Sequence, residues 1–230
     1  ASYADEADKL IQHLTTIGFK RIGIAYQNNN FGKEVLLAAN AALEQRKLKA
    51  VAAVSVENNA SDAASATATL LGAQPDALVL GLAGKPTIEV IKNVNQGRKG
   101  LQMYALSVLA TAGNLKTLGA DGVGVAISQV VPFPTNSTMP LIRDYQQAMK
   151  AAGINEFNHL SLEGYINARI VAEGLRRAGR NLTRESLISS MQSIKGFDLG
   201  GMEVSFGKGG ASASRFVELT AINSQGRLVK

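Results

Sequence analysis

Three short segments of the 230-residue chain hold the side chains best suited to grip a small molecule. Gln27-Asn-Asn-Asn-Phe-Gly-Lys33 sets amides and an aromatic ring at the start of a helical pattern. Free backbone N–H groups at a helix N-terminus suit a polar or anionic group. The alternative there is architecture alone, with Asn30 capping the helix and Phe31 packing. Gly81-Leu-Ala-Gly-Lys-Pro-Thr87 has glycines that let the backbone approach a ligand closely, or simply turn a strand into a helix. Ala105-Leu-Ser-Val108 ends an apolar run, and Ser107 either faces a cleft or starts the next turn. The candidate ligand contacts are therefore Asn30, Phe31, Gly32, Ala83, Gly84, Ser107 and Val108.

Residues for chemistry beyond binding are missing. The sequence contains no HExxH, GxSxG or GxxxxGK[ST], and no GxGxxG after a strand. His13 and His159 fall in a helix and at a helix entrance, without acidic partners at ligand spacing, and read as surface or cap residues. No catalytic residue, metal site or cofactor is expected. The absence of cysteine excludes disulfides, thiol nucleophiles and thiolate metal sites. The 24 Lys and Arg against 18 Asp and Glu are dispersed, the densest groups being Arg176, Arg177, Arg180 and Arg98, Lys99. With no Trp, 5 Tyr and 7 Phe, the basic stripe laced with aromatics that marks nucleic-acid binding is lacking, so nucleic acid is not an expected partner. The net charge of +6 suits solubility or attraction for anionic solutes.

The three segments need a scaffold, and the pattern supplies one. At 46% hydrophobic and 18% charged the chain has enough apolar material for a core. No apolar run approaches the roughly 18 to 20 residues that cross a bilayer, and residues 1 to 20 lack the features of an export signal. Ser2 to Ile17 reads as a capped amphipathic helix, with Asp5 and Glu6 in its first turn and Gly18 ending it. Strands follow at 21–26, 49–56, 77–82, 102–107 and 122–131, alternating with helices near 35–43, 61–71, 86–95 and 113–118. Apolar strands alternating with helices imply a parallel sheet covered on both faces, a three-layer α/β domain over residues 1–131. Each candidate segment then follows the carboxyl end of a parallel strand, where open α/β sheets bind ligands.

From Pro132 the pattern changes. Three helices, 139–152, 161–178 and 183–194, follow without intervening strands. The helix from Ser161 carries a broad apolar face that needs a sheet or other helices to cover it. Residues 132–200 form this part, and 201–230 read as antiparallel strands around a Gly- and Ser-rich turn at 207–214.

Taken in order, Ala-Ser-Tyr-Ala-Asp-Glu6, Gly18-Phe-Lys-Arg-Ile-Gly-Ile-Ala-Tyr26, Asn29-Asn-Phe-Gly-Lys33, Pro75-Asp-Ala-Leu-Val79, Glu163-Gly-Tyr-Ile-Asn-Ala168 and Leu175-Arg-Arg-Ala-Gly179 resemble the type I solute-binding proteins of ABC transporters. Within them the chain is most similar to the leucine/isoleucine/valine-binding branch. The resemblance implies two α/β lobes that close by a hinge on a small solute, without catalysis, and present it to an ABC permease in the inner membrane. It also implies a periplasmic location after export, with the signal peptide outside this chain. Residues 1–131 correspond to lobe two, 132–200 to a crossover and helices returning to an incomplete lobe one, and 201–230 to the last strands. The helices left uncovered by that missing part are a surface for self-association. By position, the ligand wall falls on Phe31, Ala83 and Ser107. Amino-acid-binding members carry an aromatic, an aromatic and an acid at these places, the acid pairing with an ammonium. Ala83 and Ser107 depart from that pattern, which widens the expected solutes from branched-chain amino acids to related carboxylate or aromatic compounds.

Two other readings stay open. A ligand-sensing domain of a receptor or regulator would share the fold. An enzyme of the flavodoxin-like or Rossmann class would need a phosphate loop at the first strand-to-helix turn, and Asn28 to Gly32 is poor in glycine for that.

Overall fold

The computed structural model describes residues 1–207 and 213–230. The chain opens with α1 (Tyr3–Thr16), β1 (Ile22–Gln27), α2 (Asn30–Gln45), β2 (Ala52–Val56), α3 (Ala63–Gly72) and β3 (Ala77–Gly81). It continues through α4 (Lys85–Gly97), β4 (Gln102–Ala105), α5 (Ala112–Leu118) and β5 (Ala126–Gln129). Next come α6 (Pro140–Ala151), α7 (His159–Ala178), α8 (Arg184–Gln192), β6 (Phe197–Asp198) and β7 (Glu203–Val204), and finally β8 (Glu218–Ile222) and β9 (Leu228–Val229). These elements form two compact units, Ser2–Gln129 with Val217–Lys230, and Val130–Phe216 with Ala1.

The first unit is the expected three-layer α/β structure. Its sheet has the order β2-β1-β3-β4-β5-β8-β9, and β1 to β5 are parallel. Because side chains alternate along a strand, Ile22, Ile24, Ala77, Val79 and Tyr104 pack on one face against Ala7, Leu10 and Leu14 of α1 and Val35, Ala39 and Leu43 of α2. Ala25, Leu78, Leu80 and Met103 pack on the other against Leu70 of α3 and Val90, Ile91 and Val94 of α4. Every residue of β3 is buried, the condition of a strand covered on both sides. Each of its leucines contributes about 1.5 to 3 kcal/mol by leaving water. The α1 stripe starts where Ser2 and Asp5 form a reciprocal capping box.

Order along the sheet decides where a ligand would sit. From β1 the chain turns onto the α1/α2 face, whereas from β3 it turns onto the α3/α4 face, yet β1 and β3 are neighbours. Their connections diverge, which makes this the topological switch point of an open α/β sheet, where ligands bind at the carboxyl ends of the strands.

The strands after residue 200 do not form one antiparallel group, as the pattern alone suggested. Glu203–Val204 pairs with Phe197–Asp198 in the second unit, while β8 runs antiparallel beside β5 and β9 pairs with β8 in the first. Alternating hydrophobicity marks a strand but does not name its partner, and β8 satisfies the ladder groups that β5 would otherwise leave at an open edge. Of the turn expected at 207–214, residues 208–212 lie outside the described residues.

The second unit packs α6, α7, α8 and the β6–β7 hairpin about one core of Leu141, Ile142, Tyr145, Leu162, Ile166 and Met202. The helix faces expected to lie open are thus largely covered. Leu141, Ile142, Tyr145 and Leu162 are fully buried, because Ile194, Leu199, Met202 and Val204 fold back over them. Val171 and Leu175 of α7 remain exposed.

Candidate functional site

The carboxyl ends of β1, β3 and β4 carry the candidate residues, and two networks of side chains hold them. The first is built from amides. Gln27, the last residue of β1, is buried; its Oε1 accepts from the Ala83 N–H at 2.9 Å and its Nε2 donates to Asn58 Oδ1 at 2.7 Å. Asn29 Nδ2 donates to the same oxygen at 2.8 Å. One side chain therefore ties together the connections that follow β1, β2 and β3.

Asn29, not Asn30, caps α2, its Oδ1 accepting from the Gly32 N–H at 2.9 Å. Any of the three consecutive asparagines suits a cap; the bond to Asn58 selects the middle one, and Asn30 becomes the exposed first residue of the helix. Gly32 is buried against β1, and a Cβ there would lie 2.1 Å from the Gln27 carbonyl oxygen, so this position requires glycine. Phe31 is half-buried and meets Tyr3 edge-on at 4.8 Å between ring centroids. Gly84 precedes α4 with φ +60°, a backbone state that favours glycine, and no side chain caps that helix. Ala83 beside it is half-buried.

The second network is built around an acid. Glu6 of α1 is 1% exposed. Its Oε2 accepts from the Ser107 N–H at 2.8 Å and from Ser128 Oγ at 2.6 Å, and its Oε1 accepts from Ser107 Oγ at 3.1 Å. Burial pushes this carboxyl above the ordinary carboxylate value, and the hydrogen bonds from Ser128 and Ser107 pull it partly back. Ser107 and Val108 are half-buried in a 3-10 turn that leaves β4, with Val108 packed against the α1/α2 core.

Phe31, Ala83 and Ser107 thus occupy consecutive junctions after β1, β3 and β4, while Asn30 points to solvent. Sequence reasoning missed Glu6, Gln27, Asn58 and Ser128. For Glu6 a signal existed: it lies on the apolar stripe of α1, three residues after Tyr3 and four before Leu10, where an acid is out of place. The histidines also differ from expectation. His13 Nδ1 is 2.9 Å from the Tyr104 hydroxyl. His159 is buried beside Phe133 at the start of α7, and burial lowers it to about 4. Among the described residues no cluster of three His, Asp or Glu could hold a metal ion.

The family described as periplasmic binding protein matches residues 1–227. Over 100% of its length the chain is similar to a substrate-binding periplasmic protein from Ralstonia solanacearum, at 30% identity and TM-score 0.86, and covers 66% of that protein. A possible leucine/isoleucine/valine-binding protein from Rhodopirellula baltica SH 1 aligns with all of the chain at 24% identity and TM-score 0.88, with 65% of that protein covered. A branched chain amino acid ABC transporter protein from Thermus thermophilus with bound valine shares 16% identity at TM-score 0.80; the chain is fully aligned and covers 64% of it. The chain spans about two thirds of the length of these solved relatives. No curated protein matches it. The match over nearly the whole chain, on a parallel sheet with its switch point between β1 and β3, makes this chain a member of the periplasmic binding protein family.

Proposed function

We propose that the chain is part of an exported solute receptor of an ABC importer, and that the carboxyl edge of β1, β3 and β4 is one wall of its binding site. Its solute is a branched-chain amino acid or a related carboxylate or aromatic compound. The receptor holds it without chemistry and closes on it by a hinge against a second lobe. The observation that carries this reading is the placement of Phe31, Ala83 and Ser107 at three junctions around the switch point, on backbone held rigid by Gln27 and Glu6. A rigid polar wall with one aromatic ring suits orientation of a small ligand. The family match and the relative with bound valine support the solute class.

A thermal-shift screen of the full gene product against branched-chain amino acids, aromatic acids and short amides tests it, because a ligand stabilises by mass action. A concentration-dependent rise in Tm with one class, weakened by Phe31→Ala, is the expected result. A ligand whose affinity is untouched by Phe31→Ala and Ser107→Ala places the site elsewhere.

A further inference from the structure

Glu6 of the first unit is 1% exposed, and its carboxyl group accepts from three neutral donors, the Ser107 N–H and the hydroxyls of Ser107 and Ser128. A main-chain N–H and two hydroxyls around two oxygens is the setting of an ionised carboxylate, and the 2.6 Å bond from Ser128 has the length of a charge-assisted one. A serine hydroxyl has a single proton and two lone pairs. The proton of Ser107 is directed to Glu6 Oε1, so what its half-buried oxygen retains for another partner is lone pairs.

We propose that Glu6 is a positioning residue for ligand specificity: by accepting the hydrogen bond of the Ser107 hydroxyl it makes the β4 junction an acceptor, which selects a solute group that donates a hydrogen bond and rejects a carboxylate there. The negative charge one side chain behind Ser107 acts in the same direction. This rests on the wall proposed above and adds the chemistry of one of its three junctions. The acid comes from α1, before the first strand, and reaches the wall only through serines of β4 and β5.

The test is 1H–15N NMR of the 230-residue chain at neutral pH, titrated with 3-methylbutylamine and with 3-methylbutanoate, which share an apolar body and differ in the head group. Amides of Phe31 and Ala83 report the wall, and that of Ser107 the junction. The amine is expected to bind about tenfold more tightly than the carboxylate, the factor a hydrogen bond to a charged group supplies, with Ser107 shifting. In Glu6→Gln the new amide donates to Ser107 Oγ and turns its proton outward, so the ratio falls to about one. Ser107→Ala, which leaves Glu6 in place and decides the matter if Glu6→Gln does not fold, is expected to lose the preference as well. Shifts at Phe31 and Ala83 with equal binding of both probes, or a preference that survives Ser107→Ala, overturn the role of Glu6 and leave the wall standing. No shift at Phe31, Ala83 or Ser107 with either probe overturns the wall and this proposal together.

Discussion

Among the described residues the two units each bury one glutamate on a helix, and they treat it in opposite ways. Glu6 on α1 is surrounded by neutral donors from Ser107 and Ser128, and burial raises its pKa. Glu173 on α7 is 9% exposed and is gripped by Arg176 and Arg177 at 2.8 and 2.6 Å. Hydrogen bonds from Arg176 and then Arg177 bring it down to about 2. Arg177 also donates to the Ser193 carbonyl at the end of α8, so this pair fastens α7 to α8. Glu6 is thus held by hydrogen bonds from neutral groups, whereas the charge of Glu173 is spent on arginines that hold two helices together.

The largest effect expected from breaking this contrast is Glu6→Ala. It leaves a main-chain N–H and two hydroxyls without their acceptor, and urea unfolding should show a loss of roughly 3 kcal/mol. Gln27→Ala interrupts the neutral network instead and should cost about 1 to 2 kcal/mol, the same at pH 5 and pH 8. A loss for Gln27→Ala as large as that for Glu6→Ala would remove the special standing of the charged network.

The pH response sharpens the contrast further. The folded state holds the Glu6 proton more tightly than the unfolded chain does, so this group favours folding below its ordinary value of 4.5 and loses that contribution as pH rises through its raised folded value. Glu173 runs the other way: its contribution is full above 4.5 and is lost as pH falls toward about 2. Stability of the wild type minus that of Glu6→Gln should therefore fall as pH rises above 4.5, while wild type minus Glu173→Gln should fall as pH drops below it. His159 adds a separate loss between its ordinary 6.5 and about 4 on acidification, which subtraction of the Glu6 pair cancels. Like slopes for both glutamates would show that they are not seated differently.

The smallest expected effect is that of salt. Arg176 is 71% exposed, so sodium chloride at about 0.5 M should weaken the Glu173 pair and narrow the gap between wild type and Glu173→Gln. The gap between wild type and Glu6→Gln should change less, because Glu6 lies away from solvent and its hydrogen-bond donors are neutral. A salt-sensitive Glu6 gap, read from the same unfolding curves, would indicate that ions reach it.

What could be read from the chain was whatever depends on neighbours in sequence. The stripe of Ala7, Leu10, Ile11 and Leu14 and the cap at Ser2 fix α1, and the apolar runs near 22, 77 and 102 fix β1, β3 and β4, because these are matters of helical and strand period. The order of strands and helices then placed Phe31, Ala83 and Ser107 on one edge of a sheet. Tertiary structure decided what touches what across long separations. It gave β8 to β5 rather than to β7, chose Asn29 over Asn30 as the cap through Asn58, and covered α6 and α7 with the chain around Ile194 to Val204. It also carried a carboxylate from residue 6 to residues 107 and 128. Local propensity cannot encode such a contact, since the stability of a buried acid depends on donors that arrive only when the whole sheet is assembled.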